Sequence, residues 1–313
     1  MRKRILVVGL TCIDVVNVCN KFPIEDEDLK VSSQYWAKGG NAANTACVLA
    51  QNPNIDVHLF SYLSYQPENE FVIRHLKECD INLESCPITF DKKFPMSCCI
   101  LNETNGSRTI LHYNNDFPSV KFEDFLKLDI LSYDWIHFEG RNLVEVSKMI
   151  AHIRQILFKQ KFPKHIIISG EMEKFSRLIE LEKYLLPNVD ILFIGKEIGL
   201  GKGFKSSEET ITHYSSKKHS KPEIFICPWG ETGAFASKYV SSSGSVLYFK
   251  SDSIVCKNIV DTLGAGDTFI AGTISKFICN EELDAAIKYG CLVAGLKCTQ
   301  YGFDDLFLKA GSH

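Results

Sequence analysis

Residues 260–279, VDTLGAGDTFIAGTISKFIC, join a glycine-rich turn to an apolar helical pattern. Gly264 and Gly266 allow the backbone to bend tightly and keep side chains out of the turn. The N–H groups at the start of the predicted helix have no partner within the helix, and the helix dipole makes their surroundings positive. The stretch therefore predicts an anion-binding site at a helix N-terminus.

A carboxylate, Asp267, stands in this predicted anion site. It would repel an anion unless it has a chemical task there. One such task is to take a proton from an alcohol while the N–H groups hold the phosphoryl group that is being transferred. The alternative is a tight turn in which Asp267 only caps the helix. The position of the charge favours the catalytic interpretation.

The composition is that of an ordinary globular chain. Of 313 residues, 45% are hydrophobic and 23% are charged, and the formal net charge is −3. No long basic run is present, which argues against a nucleic acid or a membrane surface as partner. No run of 18 apolar residues occurs, and the apolar stretch after the basic start is too short for a secretion signal. We therefore expect a cytoplasmic protein.

The chain has 12 cysteines, most of them in apolar runs. With no sign of secretion, we expect buried, reduced thiols and no disulfide framework. The C-x-x-C and H-E-x-x-H patterns are absent, so we do not expect a structural or catalytic zinc site. The sequence leaves the metal ligands unassigned.

Short apolar runs alternate with helical patterns along the chain. The runs are almost continuously hydrophobic, which is typical of parallel strands covered on both faces. They lie at 4–10, 56–63, 135–140, 165–170, 190–195 and 223–227. The helical patterns lie at 41–51, 68–79, 143–160, 207–218, 263–279 and 281–299. This alternation predicts a doubly wound α/β fold with a mostly parallel sheet.

Two further segments, 15–36 (with a start at about residue 12) and 88–116, have strand periodicity without intervening helices. The second contains ETNGSR (103–108), a hairpin signal. We expect a small β-sheet, a lid, on a single domain that spans residues 1–313. Exposed strand edges favour a homodimer through this lid. The apolar residues expected at the contact are Val16, Val18, Met96 and Ile100.

Two stretches resemble the signatures of the PfkB (ribokinase-like) carbohydrate kinases. VDTLGAGDTF (260–269) is similar to the C-terminal signature, and WAKGGNAANTA (36–46) is similar to the N-terminal one. SCCILNETNGSRTI (97–110) and WIHFEGRN (135–142) resemble members that phosphorylate fructose. The resemblance covers nearly the whole chain. It implies a three-layer α/β/α ribokinase-like fold with a small β-lid, lids that pair in a homodimer, and ATP-dependent phosphorylation of the 1-hydroxyl of fructose.

The resemblance also implies roles for individual residues. Asp267 would be the general base, with Gly264, Ala265 and Gly266 as the anion hole. The sugar site would comprise Asp14, Gly40, Asn41, Asn44 and Arg141. The ATP site would comprise Arg108, Lys196, Glu231, Gly233 and Cys298. The implied cofactors are ATP and Mg²⁺, with K⁺ as a further candidate. The Asn-x-x-Glu motif that many members use for magnesium is absent here, where the chain reads Gly195-Lys-Glu-Ile198.

The residues themselves agree with parts of this assignment. Asp14 follows the first predicted strand, where open α/β sheets place ligands. Asn41 can be both the N-cap of the next helix and a ligand. Arg108 suits a phosphate contact but is also a typical solvated hairpin charge. Cys298 by pattern is a helix core residue.

Two alternatives stay open beside fructose phosphorylation. The first is another PfkB-type kinase, with a different sugar or a nucleoside as acceptor. The second is a non-catalytic sugar-binding or regulatory protein on the same scaffold. Asp267 between intact glycines and an apolar helix weighs against the second, because a protein without catalysis has no need of the base.

Overall fold

The computed structural model describes residues 2–114, 116–160, 164–216, 221–256 and 258–311. The strands are β1 Lys3–Val8, β2 Cys12–Cys19, β3 Ser33–Gly39, β4 Ile55–Phe60, β5 Leu63–Ser64, β6 Ile88–Thr89, β7 Met96–Asn102, β8 Arg108–Tyr113, β9 Trp135–Phe138, β10 Ile167–Met172, β11 Ile191–Ile194, β12 Ile224–Pro228, β13 Ala234–Val240 and β14 Ser245–Ser251. The helices are α1 Asn41–Leu49, α2 Glu70–Glu78, α3 Phe122–Phe125, α4 Leu143–Phe158, α5 Leu178–Glu180, α6 Lys196–Gly201, α7 Ser207–Ser215, α8 Ala265–Phe277, α9 Leu283–Cys298 and α10 Leu306–Ala310.

The main sheet has eight strands in the order β14-β13-β12-β11-β10-β9-β1-β4. The six strands from β12 to β4 pair in parallel. They coincide with the six apolar runs of the sequence, so that prediction is confirmed. The last two strands, β13 and β14, form an antiparallel hairpin at one edge. No sequence pattern predicted this hairpin.

Helices cover both faces of the main sheet. Along β1, Ile5 and Val7 pack into one core and Leu6 and Val8 pack into the other. Helices α1, α2, α8, α9 and α10 contribute to the first core, and α3, α4, α6 and α7 contribute to the second. Both faces of the strands are therefore buried, as their unbroken apolar runs require. The predicted three-layer α/β/α arrangement is confirmed.

A second sheet of four strands, in the order β3-β2-β7-β8, stands beside the main one. Strand β2 pairs antiparallel with β3 and parallel with β7, and β7 and β8 form the predicted hairpin. The predicted lid segment 88–116 begins too early, because its first two residues form β6, which pairs with β5 in a separate two-stranded sheet. Residue 115 of the predicted segment 88–116 and residues 217–218 of the predicted helix 207–218 lie outside the described residues.

The inner face of this four-stranded sheet carries a small core of its own. Val16 and Val18 are 1% and 2% exposed and pack with Cys99, Leu101 and the partly buried Leu263. The expectation that Val16 and Val18 lie exposed is therefore wrong, because the chain itself covers them. The exposed apolar side chains of this sheet are Trp36, Met96, Ile110, Leu111 and Tyr113.

The carboxyl ends of the parallel strands meet at one edge of the main sheet, which is where open α/β folds bind ligands. Val8, Phe138, Met172, Ile194 and Pro228 are the last strand residues at that edge. Within the described ranges, no helix combines the length and the apolar character needed to cross a membrane.

Candidate active site

Gly264 ends the glycine turn and immediately precedes α8. Its φ of 75° lies in the left-handed region, and a Cβ placed on it would lie 2.4 Å from Phe303 Cζ. Only glycine fits this position without strain. No side chain caps the helix. The alternative in which Asp267 is an N-cap is therefore wrong, because Asp267 is the third residue of α8.

Gly266 differs from Gly264. It has no positive φ, and a Cβ placed on it would meet no atom within 4 Å. The bend therefore does not depend on this glycine, which corrects the expectation that both residues are needed to turn the chain. Gly266 is the second residue of α8, whose first N–H groups have no partner within the helix.

Asp267 is buried, with 7% of its surface exposed, and is oriented by a relay from α1. Asn44 Nδ2 donates to Asp267 Oδ2 at 2.8 Å, and Lys38 Nζ donates to Asn44 Oδ1 at 2.6 Å. Burial raises the pKa of Asp267 to about 8, with the charges of Glu173 and Glu139 adding to the rise and the Asn44 hydrogen bond opposing it. The group is thus a carboxyl whose basicity suits proton transfer near neutral pH.

Asn41 is the first residue of α1, after Gly40 at the N-cap position with φ 97°. No side chain caps this helix, so the predicted capping role of Asn41 is wrong. Its Nδ2 instead donates to Glu171 Oε1 and Glu173 Oε2, both at 3.0 Å. Burial, followed by the charges of Glu173 and Asp267, raises the pKa of Glu171 well above its usual range. Asn41 therefore holds an acidic cluster beside the base.

Asp14 follows β1 in the chain, lies inside β2 and is 6% exposed. In the sheet register it stands between Ala37 on β3 and Ser97 on β7. Its neighbour Gly39 leaves no room for a side chain, because a Cβ there would come within 2.3 Å of the Asp14 carboxylate. Burial raises the pKa of Asp14, and a hydrogen bond from Ser97 opposes the rise.

Arg141 lies just after β9 and lines an open cleft of about 510 Å³ together with His112 and Arg177. Its Nε donates to Glu139 Oε1 at 2.9 Å, and Glu139 Oε2 accepts from the Leu10 N–H at 2.7 Å. His112 Nδ1 lies 3.1 Å from Ser97 Oγ, which links the cleft to the strand position opposite Asp14. The end of the sheet near β1 and β9 is thus rich in fixed donors and acceptors.

Arg108 begins β8 and reaches the glycine-rich turn. Its Nη1 donates to Thr262 Oγ1 at 3.1 Å, and that hydroxyl donates to Gly106 O at 3.1 Å. The hairpin is therefore bonded to the segment that precedes Gly264. Arg108 is exposed but is not merely a solvated hairpin charge.

Lys196 and Glu231 come together at the ends of β11 and β12. Lys196 Nζ lies 4.0 Å from Glu231 Oε1 and 5.7 Å from the centre of the Trp229 ring. Gly233, with φ 91°, has a structural reason to be glycine, because a Cβ there would lie 2.0 Å from Ser251 O. Cys298 is half-buried at the end of α9, and its carbonyl accepts from the Val260 N–H at 2.7 Å. This carbonyl holds the start of the glycine-rich segment.

The proposed site residues therefore form two groups along one edge of the sheet. Asp267, Asn44 and Asn41 lie near β10 and β9, and Arg141 follows β9, whereas Asp14 lies on β2 of the four-stranded sheet. Lys196, Glu231 and Gly233 lie one to two strands further on, at β11 and β12.

Four residues of the first group were not predicted from the sequence as site residues: Lys38, Glu139, Glu171 and Glu173. Glu139 and Glu173 follow β9 and β10 directly, and Glu171 lies within the last residues of β10. A search for carboxylates at the ends of the predicted parallel strands would have found the three glutamates.

Comparisons with known proteins identify the family of this chain. Residues 2–309 match the model of the pfkB family of carbohydrate kinases. The chain belongs to the pfkB family. Ketohexokinase of Mus musculus is 35% identical over 307 residues, which cover 97% of this chain and 99% of that protein.

Solved structures of pfkB-like kinases share the fold. Ribokinase from Giardia lamblia superposes with a TM-score of 0.82 at 14% identity and full coverage of both chains. Arabidopsis thaliana ribokinase complexed with ribose and ATP superposes with a TM-score of 0.73 at 17% identity, covering 96% of this chain and 94% of that one. The fold is thus ribokinase-like, and membership of this kinase family implies ATP as the phosphoryl donor.

Proposed function

We propose that this pfkB-family kinase transfers the γ-phosphoryl group of ATP to the 1-hydroxyl of D-fructose, giving fructose 1-phosphate and ADP. The observation that carries the proposal is the placement of Asp267. A buried carboxylate with a raised pKa stands in the first turn of α8, next to N–H groups that have no partner within the helix, and is oriented by Asn44 at 2.8 Å.

In this mechanism the sugar hydroxyl donates a hydrogen bond to the Asp267 carboxylate. Its oxygen attacks the γ-phosphorus, the proton passes to Asp267, and the bond from phosphorus to the β,γ-bridging oxygen breaks to release ADP. The N–H groups at Gly264, Ala265 and Gly266 stabilise the negative charge on the transferred phosphoryl group. Asn44 keeps the carboxylate in position, and its own amide is fixed by Lys38.

Magnesium fits the acidic cluster beside the base. Glu171 and Glu173 offer carboxylate oxygens, the ligands that Mg²⁺ prefers, and burial raises the pKa of Glu171, as expected for a site that gains from a positive charge. These two residues would hold the ion through its bound water, in place of the absent Asn-x-x-Glu motif. The ion would neutralise charge on the phosphates of ATP.

Potassium does not fit the oxygen atoms beside the glycine-rich turn. Asp261 O and Asp261 Oδ2 already accept hydrogen bonds from Lys297 Nζ at 3.0 and 2.7 Å, and Gln300 O lies 3.4 Å from the same ammonium. Lys297 is fully buried. A fixed ammonium therefore occupies the cationic position that these oxygens define, and no step of the mechanism uses K⁺.

Support for fructose as acceptor comes from the chemistry around Asp14 and from the 35% identical ketohexokinase. Asp14, Ser97 and Arg141 offer convergent charged and polar groups to a hydroxyl-rich sugar. A nucleoside would instead need an apolar slot for its base. Sites that hydrogen-bond a substrate discriminate strongly, because the wrong substrate leaves buried polar groups unpaired.

The test is kcat/KM for fructose, ribose and adenosine at fixed ATP, with the phosphorylated carbon of the product identified by NMR. Fructose should be preferred, and Asp14→Ala should lower kcat/KM for fructose by roughly 2–4 kcal/mol of transition-state stabilisation if it bonds two hydroxyls. Asn17→Ala is a matched control, because Asn17 lies on the same strand but on its opposite face.

A preference for ribose or adenosine would refute fructose as acceptor and leave the kinase assignment intact. Normal fructose kinetics in Asp14→Ala would remove Asp14 from the sugar site. Sugar binding without turnover in the presence of ATP would favour the non-catalytic alternative.

A further inference from the structure

Three metal-ligating side chains converge between α1 and the end of α2. Cys47 lies in the last half of α1, His75 lies in the last turn of α2, and Cys79 is the residue directly after α2. His75 and Cys79 are four residues apart, so both project from the same face of α2. That face meets α1 at Cys47.

The ligand atoms of these residues lie close enough for one ion. The two sulfur atoms and an imidazole nitrogen all lie within 4.8 Å of one another. In a tetrahedral zinc site with bonds of about 2.3 Å, two sulfurs are separated by about 3.8 Å. Small rotations of the side chains would bring the three atoms to that spacing.

From this cluster we propose that Cys47, His75 and Cys79 form a binding site for Zn²⁺. Two thiolates and one neutral imidazole suit a borderline-soft ion and balance its charge, whereas Mg²⁺ prefers oxygen ligands. Three protein ligands leave one position for a water molecule. The absence of the C-x-x-C and H-E-x-x-H patterns does not exclude this site, because its ligands come from α1 and from the end of α2.

Burial of the ligands supports a site that is closed on one side and open on the other. Cys47 is 3% exposed, while His75 and Cys79 are only partly buried and give an ion access from solvent. Cys47 comes one turn after Asn44 on α1. An ion here would therefore tie α2 to the helix that orients the catalytic base.

The experiment titrates the purified, reduced, metal-free protein with Co²⁺ and then with Zn²⁺. We expect one Co²⁺ per chain, with the near-ultraviolet sulfur-to-cobalt charge-transfer band and the visible bands of tetrahedral cobalt. Zn²⁺ should bleach both, because it binds such ligands more tightly than Co²⁺. The readout does not depend on kinase activity, so the result is separate from the test of the acceptor.

Substitutions assign the bands to the three ligands. Cys79→Ser and Cys47→Ala should each remove the charge-transfer intensity of one sulfur and weaken Co²⁺ binding by at least about tenfold, and His75→Ala should weaken it similarly. Cys279→Ser changes an exposed cysteine elsewhere and should leave the spectrum unchanged.

Three results would overturn the proposal: no charge-transfer band in the reduced wild-type protein, an unchanged spectrum in both Cys79→Ser and Cys47→Ala, or loss of the bands in Cys279→Ser. Circular dichroism of each variant establishes that it is folded. Because Cys79 and His75 are partly exposed, their variants keep the test informative even if Cys47→Ala is unstable.

Discussion

At the scale of single residues, Asp267 combines three properties that a general base requires. It is buried, it has a raised pKa, and one of its oxygens is held by Asn44. The second oxygen is not needed for that hydrogen bond and can meet a substrate hydroxyl. Asn44 of α1, which lies far from Asp267 in the sequence, thus sets the position of the carboxylate, while burial and the charges of Glu173 and Glu139 raise its pKa.

Replacing Asp267 by Asn should lower kcat by about 100- to 10,000-fold, the usual range when a general base is lost. Binding of ATP and sugar should change little, because the amide has the same shape. Steady-state kinetics and calorimetric titration of both ligands measure these effects. Turnover close to that of the wild type would remove Asp267 from the mechanism.

The pH profile should carry the signature of the raised Asp267 pKa. The base must be deprotonated to accept the hydroxyl proton, so the rate should fall as the pH drops below the pKa, which burial raises to about 8. We expect kcat/KM for the sugar to rise with pH, with an apparent pKa well above the range of an ordinary aspartate. The residual activity of Asp267→Asn should lack this dependence. An acid limb near pH 4 in the wild type would contradict the expected shift.

At the scale of elements, the turn before α8 and the first turn of that helix each contain a glycine, for different reasons. Gly264 is needed for backbone conformation and for its contact with Phe303. Gly266 is needed only if a ligand must approach the N–H groups in front of it. The two roles can be separated by substitution.

Gly264→Ala should lower the free energy of unfolding by about 1–3 kcal/mol, because the left-handed φ of 75° strains any residue with a Cβ. Gly266→Val should leave stability nearly unchanged but reduce kcat at least tenfold, because its side chain would fill the space of the phosphoryl group. Denaturant unfolding and kinetics of both variants test the difference. A stable Gly266→Val enzyme with normal turnover would disprove the anion hole.

The sequence predicted the elements of the parallel sheet well, because strands buried on both faces leave unbroken apolar runs such as DILFIG (190–195). It missed β13 and β14, which lie at the sheet edge and leave no unbroken apolar run, since only the last residue of β14 is buried. It placed Asn44 in the sugar site but gave no sign of the hydrogen bond that this amide donates to Asp267. That contact joins residues 223 positions apart, and no local pattern reveals which partner a buried amide will find.

At the scale of the whole molecule, the four-stranded sheet has one covered and one open face. Val16 and Val18 pack inward toward Leu263, while Leu111 and Tyr113 on the edge strand β8 are 60% and 68% exposed. An exposed apolar edge strand is a ready surface for a second copy of the chain. We therefore keep the prediction of a two-fold homodimer through this sheet, but through β8 and not through Val16 and Val18.

Leu111→Glu should shift the protein from dimer to monomer. The two-fold symmetry of the contact would place two negative charges in it, one from each chain. Analytical ultracentrifugation at several concentrations measures the change. Leu308→Glu is the matched control, since Leu308 is 74% exposed on α10 and lies outside the sheet. A wild-type protein that sediments as a monomer at all concentrations would contradict the dimer.

The pairing of β2 with β3 and β7 also determines where residues can be inserted into the chain. Asp14 faces the same side as Val16 and Val18 because side chains alternate along a strand, and its neighbours Ala37 and Ser97 fix that register from both sides. One residue inserted between Cys12 and Asp14 would turn the carboxylate to the opposite face. Insertions in the connection between β2 and β3 leave the ladder intact. Relatives of this chain can therefore differ freely in that loop, while the spacing from Cys12 to Asp14 is fixed by geometry.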